Sequence, residues 1–282
     1  MSYVDYFTNN DFLSELPEKK SDGSTKEIYE CIKSLTGVPM AALIYRHLAT
    51  QSGALDWAWT AVRSAMENGY IQDTAWSVAE KVSAIDVAPL AFSVLETAGV
   101  NAAEIEQIAA VLSAYNRANP VNLLVVTSLI RRIEDAEKVT DFTLPPRKWT
   151  PPEAIPALPP MVSIDAIQGH VGRILVSLAT ASKKSDGLVV PSLYRHFAHL
   201  PGFLTLVADI VLPRYTDGSI ALRARELQDN FAGPARELSR IEISAKAPDP
   251  SILAVLKRFE QIIPEMIVVG RLLQGAIPPE TR

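Results

Sequence analysis

Tyr45-Arg46-His47 returns as Tyr194-Arg195-His196, and the likeness runs without a gap through Gly53 and Gly202, Leu55 and Leu204, and Asn68-Gly69 and Asp217-Gly218. After a small shift of register, Tyr115, Pro120, Leu123, Leu124, Val125 and Leu129 fall against Phe259, Pro264, Ile267, Val268, Val269 and Leu273. Most of the chain is one unit written twice. Each copy is roughly 130 residues, far beyond the about 20–50 residues of a solenoid repeat, and is large enough for a core of its own. A duplicated unit of this size is expected to fold as a pseudo-dimer with a pocket where the halves meet.

Apolar residues recur at helical spacing along the chain, as in Ile28, Cys31, Ile32 and Leu35, or Ile252, Val255, Leu256 and Phe259, and strict alternation over a strand's length is hard to find. The fold class is therefore all-α. Helix starts are signalled by Ser24-Thr25, by Pro39 and Pro191, and by Asp249-Pro250-Ser251. Stops are signalled by Asn68-Gly69 and Asp217-Gly218, where glycine accepts the left-handed conformation that ends a helix.

Between the copies, Leu144 to Pro160 holds seven of the chain's twenty prolines. Proline fixes φ, lacks an amide donor and disfavours helix in the residue before it, so this stretch reads as a long extended tether, with Trp149 pinning it to a domain surface. The expected organisation is an N-terminal arm over 1–24, helical repeat 1 over 25–138, a proline-rich linker over 139–162 and helical repeat 2 over 163–282.

With 48% hydrophobic and 21% charged residues, the chain has the composition of a globular protein. Its apolar runs fall short of the roughly 20 residues that span a bilayer, and Met1 to Tyr6 lacks the character of a signal peptide, so a cytoplasmic protein without a membrane partner is expected. The net charge is −5, and no Lys/Arg cluster is interleaved with aromatics, which argues against nucleic acid. Cys31 is alone, so paired-cysteine chemistry is excluded, and a small buried hydrophobe is its expected role. His47, His170, His196 and His199 show no HxxxH or HExxH spacing; we expect neither metal nor cofactor.

A group needed once per molecule has no reason to stand in both halves. The repeated Tyr-Arg-His is accordingly expected to be structural, with a satisfied tyrosine hydroxyl and an arginine paired to a helix end or a carboxylate. Residues that differ between the copies are the better functional candidates. Asn116 faces Glu260 across the repeat; a left-handed helix end is its structural alternative, and Glu260 reads as exposed beside Lys257 and Arg258. Asn119 precedes Pro120 and reads as the N-cap of a helix opening there. His199 matches Thr50 and is a reserve base.

Two helical repeats, a long tether, Val-Pro ahead of an aromatic-Arg helix and Tyr115-Asn-Arg-Ala-Asn-Pro120 together resemble the group I 2-haloacid dehalogenases over roughly residues 25 to 275. The resemblance implies that a 2-halocarboxylate sits between the repeats and that water, activated by an aspartate and held by an asparagine, displaces halide directly. It places the asparagine at Asn116, with Asn119 where active members carry an aromatic hydroxyl. It also places apolar wall residues at Met40 and Leu43, and the Ser-Asp pair at Ser192-Leu193. Leucine cannot accept a proton, so the base is missing. Loss of a general base removes about 10² to 10⁴ in rate. Asp186 is a conceivable substitute, read as a solvated loop carboxylate.

The catalytic residue is therefore unknown. Asn116, Asn119 and Ser192 are candidates to position water or substrate; Met40, Leu43 and Leu193 are the expected pocket wall; Tyr194, Arg195 and His199 are held in reserve. The expected partner is a small carboxylate at the repeat interface, and a homodimer remains compatible with the internal duplication. The competing reading is a non-catalytic carboxylate-binding or scaffold protein on the same fold.

Overall fold

The computed structural model describes residues 13–135, 142–163, 166–182, 190–243, 245 and 249–279. Among them are eleven α-helices and no strand: α1 (Gly23–Thr36), α2 (Leu43–Leu48), α3 (Ala54–Glu67), α4 (Tyr70–Glu80), α5 (Phe92–Thr97), α6 (Ala102–Glu134), α7 (Gly169–Ala181), α8 (Ser192–Phe197), α9 (Pro201–Thr216), α10 (Ser219–Ser239) and α11 (Ser251–Ala276). The order α7, α8, α9, α10, α11 follows that of α1, α2, α3, α4, α6. Tyr-Arg-His lies in α2 and α8, each six residues long. Gly69 and Gly218 both adopt positive φ and pass the chain directly into α4 and α10.

The two longest helices, α6 and α11, pack against each other and form the centre of the molecule. Their sequences explain why. Every residue from Ala118 to Ile130 is buried, as is every residue from Ile263 to Gly270, and helices so rich in apolar residues, buried on every side, are stable only with neighbours all round. Arginines then tie the halves together crosswise. Arg132 of α6 donates to the carbonyls of Leu238 and Ile241 at the C-terminal end of α10, and Arg271 of α11 donates to those of Ala79 and Val82 at the C-terminal end of α4. These are the orphan carbonyls of helix ends, where a cation is favoured.

Two local expectations are corrected here. Pro120 does not open a helix, and Asn119 is not its N-cap: α6 is continuous from a capping box at Asn101 and Glu104 to Glu134, with Pro120 inside. Asn116 is not a left-handed helix end either, since no non-glycine residue among those described has positive φ. Burial has overridden the local preference of proline. A mid-helix proline deprives the carbonyl four residues back of its amide. In α11 the carbonyl that Pro264 abandons is Glu260's, and Gln228 Nε2 of α10 supplies the missing donor at 3.0 Å. In α6, Trp76 Nε1 reaches the carbonyl of Arg117 at 2.9 Å, one residue beyond the carbonyl deprived by Pro120. Replacing Gln228 by Leu is expected to cost about 1 kcal/mol in denaturant unfolding, because it leaves a half-buried carbonyl without its donor.

The tether over 142–163 has neither helix nor strand, and it is stapled rather than loose. Ile155 N–H donates to Gly37, Asn68 Nδ2 to the Pro145 carbonyl and Arg117 Nη1 to the Glu153 carbonyl. Trp149 packs on Trp76, with ring centroids 6.2 Å apart, and lies so close to Gly69 that a side chain there would collide with it. Cys31 is partly buried against the core rather than fully inside it.

Candidate functional site

Where the short run before and into α2 meets the start of α8, and both face the middle of α6 and α11, the side chains leave a cavity of about 70 Å³. That is far below the roughly 300–1,000 Å³ of pockets for drug-sized ligands, so it suits a molecule of a few heavy atoms. Helical phase decides which residues reach it. Tyr115, Ala118, Asn119 and Asn122 share one face of α6, and Phe259, Ile262, Ile263 and Met266 share one face of α11. These are the same four places in the repeated sequence. Polarity, however, differs: α6 offers a phenol and two amides, α11 only hydrocarbon and a thioether. Met40, Leu43, Arg46, Ser192 and Leu193 complete much of the remaining wall, and no carboxylate lines the cavity among the described residues.

The expected residues thus divide. Met40, Leu43, Asn119, Ser192 and Leu193 line the cavity; Asn116, Tyr194, Arg195 and His199 do not. Asn116 lies on the neighbouring face of α6 and donates from Nδ2 to the Gly270 carbonyl at 3.2 Å, bridging the two long helices. His199 is exposed and turned to the Pro160 carbonyl of the tether. Tyr194 is fully buried beside Tyr215, whose hydroxyl donates to the buried Glu265 carboxylate at 3.3 Å. Glu260 is half-buried against Thr127 rather than exposed, and burial raises its carboxyl above the usual range. Asp186 lies outside the described residues.

Sequence reasoning missed Arg46, Tyr115 and Asn122. Arg46 is buried and ion-paired: Nη1 donates to the Ala41 carbonyl at 2.6 Å and Nε to Glu15 Oε2 at 2.8 Å, while Nη2 stands 2.8 Å from the same carboxylate oxygen but makes no hydrogen bond among the described residues. Arg195 donates from Nε to the Val162 carbonyl at 3.1 Å and has Nη1 3.9 Å from Glu15 Oε1. The arginines of the repeated motif therefore do meet a helix-flanking carbonyl and a carboxylate. The tyrosines do less well, because the buried Tyr45 hydroxyl has no partner among the described residues.

Tyr115 and His196 form a contact that its counterpart in the other half lacks. The Tyr115 hydroxyl is 2.9 Å from His196 Nδ1, whereas His47 faces the hydroxyl-free ring of Phe259 and bonds instead to the Ser14 carbonyl. Burial, reinforced by Arg195 and Arg46, lowers the His196 pKa to about 4. The imidazole is consequently neutral at pH 7. Burial also pushes the Tyr115 phenol up, so the pair presents an uncharged polar group to the cavity. Because the folded pKa lies below the ordinary value of 6.5, the unfolded chain binds the extra proton first, and stability falls as pH drops from about 6.5 toward 4. The expected loss is up to about 3 kcal/mol, measurable by denaturant unfolding across that range, and His196→Gln should flatten the profile.

No family model matches the chain. Among curated proteins, a configuration-inverting 2-haloacid dehalogenase of Alcaligenes xylosoxydans xylosoxydans is 27% identical over 293 residues, spanning 95% of this chain and 96% of the relative. This chain is a relative of the 2-haloacid dehalogenases. Solved structures carry the same all-α dehalogenase fold: a D-2-haloacid dehalogenase variant superposes with a TM-score of 0.75 at 16% identity, covering 96% of this chain and 98% of the other. The complexes of a D-2-haloacid dehalogenase variant with D-2-CPA and of a D-2-haloacid dehalogenase with L-LA match with TM-scores of 0.74 and 0.73, at the same identity and coverage. No described helix of this dehalogenase relative is long and apolar enough to cross a membrane.

Proposed function

We propose that this dehalogenase-like chain is a pseudo-dimer of two repeats that holds a small 2-substituted carboxylate in the cavity between α2, α6, α8 and α11, and that it hydrolyses 2-haloacids very slowly or not at all. The observation that carries the reading is Leu193, which lines the cavity beside Ser192 where the resemblance calls for an aspartate. The lining supports a ligand with one polar and one hydrocarbon end: Arg46, Tyr115, Asn119, Asn122 and Ser192 offer a cation and hydrogen-bonding groups, and the remaining residues are apolar. Asn119 Nδ2 is buried without a protein partner among the described residues, a donor that a carboxylate or a water would satisfy.

Direct displacement of halide needs a group that takes the proton of the attacking water. None of the described cavity residues does this well at pH 7. Arg46 is cationic, the amides are not basic, and the neutral His196 stands behind Tyr115 with its protonation opposed by burial and by two arginines. Binding and catalysis are thus separable. Titration with racemic 2-chloropropionate is expected to show saturable binding, with halide release at least about 10²-fold below that of an enzyme with the base in place. Rapid halide release by the native protein would reject the disarmed-site reading. An absence of binding would favour a scaffold role.

A further inference from the structure

We infer that Glu15 is an internal stand-in for the ligand carboxylate, ion-paired with the guanidinium of Arg46 and so setting how strongly the cavity draws anions. Arg46 is the cationic residue that lines the cavity among those described, and a buried arginine recognises carboxylates by presenting two N–H groups at once. Here Glu15 already holds that guanidinium: Nε donates to its Oε2, and Nη2, which makes no hydrogen bond among the described residues, stands 2.8 Å from the same oxygen in the ion pair.

Glu15 comes from outside the helical framework, in the segment ahead of α1. The segment is clipped to the α2 region by Leu16 N–H donating to the Arg46 carbonyl and by the Ser14 carbonyl meeting His47 Nδ1 at 2.7 Å. Further contacts are Ser14 Oγ to Thr50 Oγ1, and the Tyr29 hydroxyl donating to the Leu16 carbonyl. These clips use backbone groups or hydroxyls of the segment, and the Glu18 carboxylate adds another by accepting from the Ala41 N–H and Lys33 Nζ; none of them involves Glu15. The Glu15 carboxylate can therefore be neutralised without removing the other attachments.

The electrostatic consequence has a definite sign. A carboxylate on Arg46 offsets the attraction that this cation exerts on an anion in the neighbouring cavity, and at short range in a partly buried site that offset is large. Removing the charge leaves a buried arginine that has lost its counter-ion, a costly state that a bound anion relieves. Binding of a monocarboxylate should then stabilise the Gln variant more than the native protein.

The inference rests on the small-carboxylate reading, and the test separates the two. Racemic 2-chloropropionate and its uncharged amide are titrated calorimetrically into the native protein and Glu15→Gln, with thermal shifts recorded in parallel. The expected result is about tenfold tighter binding of the anion by the variant, a larger anion-induced rise in melting temperature, and unchanged affinity for the amide. Anion binding by the variant where the native protein shows none would support the inference as well. Equal anion affinity in the two proteins, or weaker affinity in the variant, would overturn this inference and leave the carboxylate reading standing. If neither protein binds the anion, both readings fall. Should Glu15→Gln prove unstable, Glu15→Ala measured in a stabilising osmolyte gives the same comparison.

Discussion

Leu193→Asp is expected to raise halide release from 2-chloropropionate by about 10² to 10⁴ over the native protein. The substitution puts a proton acceptor into the cavity wall at a position that is 1% exposed, immediately after Ser192 and on a helix only six residues long. Apolar neighbours raise the pKa of such a carboxyl, and Arg46 across the cavity opposes that rise, so the group should be a usable base near neutral pH. Leu193→Asn is the control. It matches the aspartate in shape but takes no proton, and it should leave halide release unchanged. Equal rates for the Asp and Asn variants, both folded by circular dichroism, would show that position 193 is not where the base belongs.

Gly202→Ala is expected to destabilise the protein by about 3 kcal/mol, near the upper end of overpacking changes, and to lower the melting temperature by roughly 6–12 °C. A Cβ at Gly202 would sit 1.8 Å from the Ala98 carbonyl oxygen, and a backbone atom between α5 and α9 cannot swing aside as a side chain would. Its partner in the repeat behaves differently. Gly53 has open space around it but a φ of 70°, so Gly53→Ala meets only the left-handed penalty, about 1 kcal/mol. Similar losses for the two variants in thermal melts would contradict the crowding at Gly202.

The repeat made the helical architecture legible, because a domain-sized unit written twice with helical periodicity leaves few alternatives. Gly69 and Gly218, and the tether with its anchoring Trp149, followed from local chemistry that tertiary contacts did not oppose. The site was less legible, and Pro120 is the reason. Taken as a helix start, it broke the phase of α6, so a left-handed helix end was the structural alternative at Asn116 and a cap the reading at Asn119. In the continuous helix, Tyr115, Ala118, Asn119 and Asn122 share the face that meets the cavity, and Asn116 falls beside it. Arg46 was obscured for a different reason. Its identity with Arg195 suggested a shared structural duty, yet only Arg46 lines the cavity, a difference no pairwise reading of the motif contains.

The split between the polar α6 wall and the hydrocarbon α11 wall has a consequence for stereochemistry. Two separate identical chains would give a ligand two equivalent poses, related by their axis, for each enantiomer. Within one polypeptide the two walls need not match, and here Tyr115 stands opposite Phe259 in the register and Asn122 opposite Met266. A guest with a head and a tail therefore has one energetically favoured direction of entry, and its enantiomers present their substituents to different surfaces.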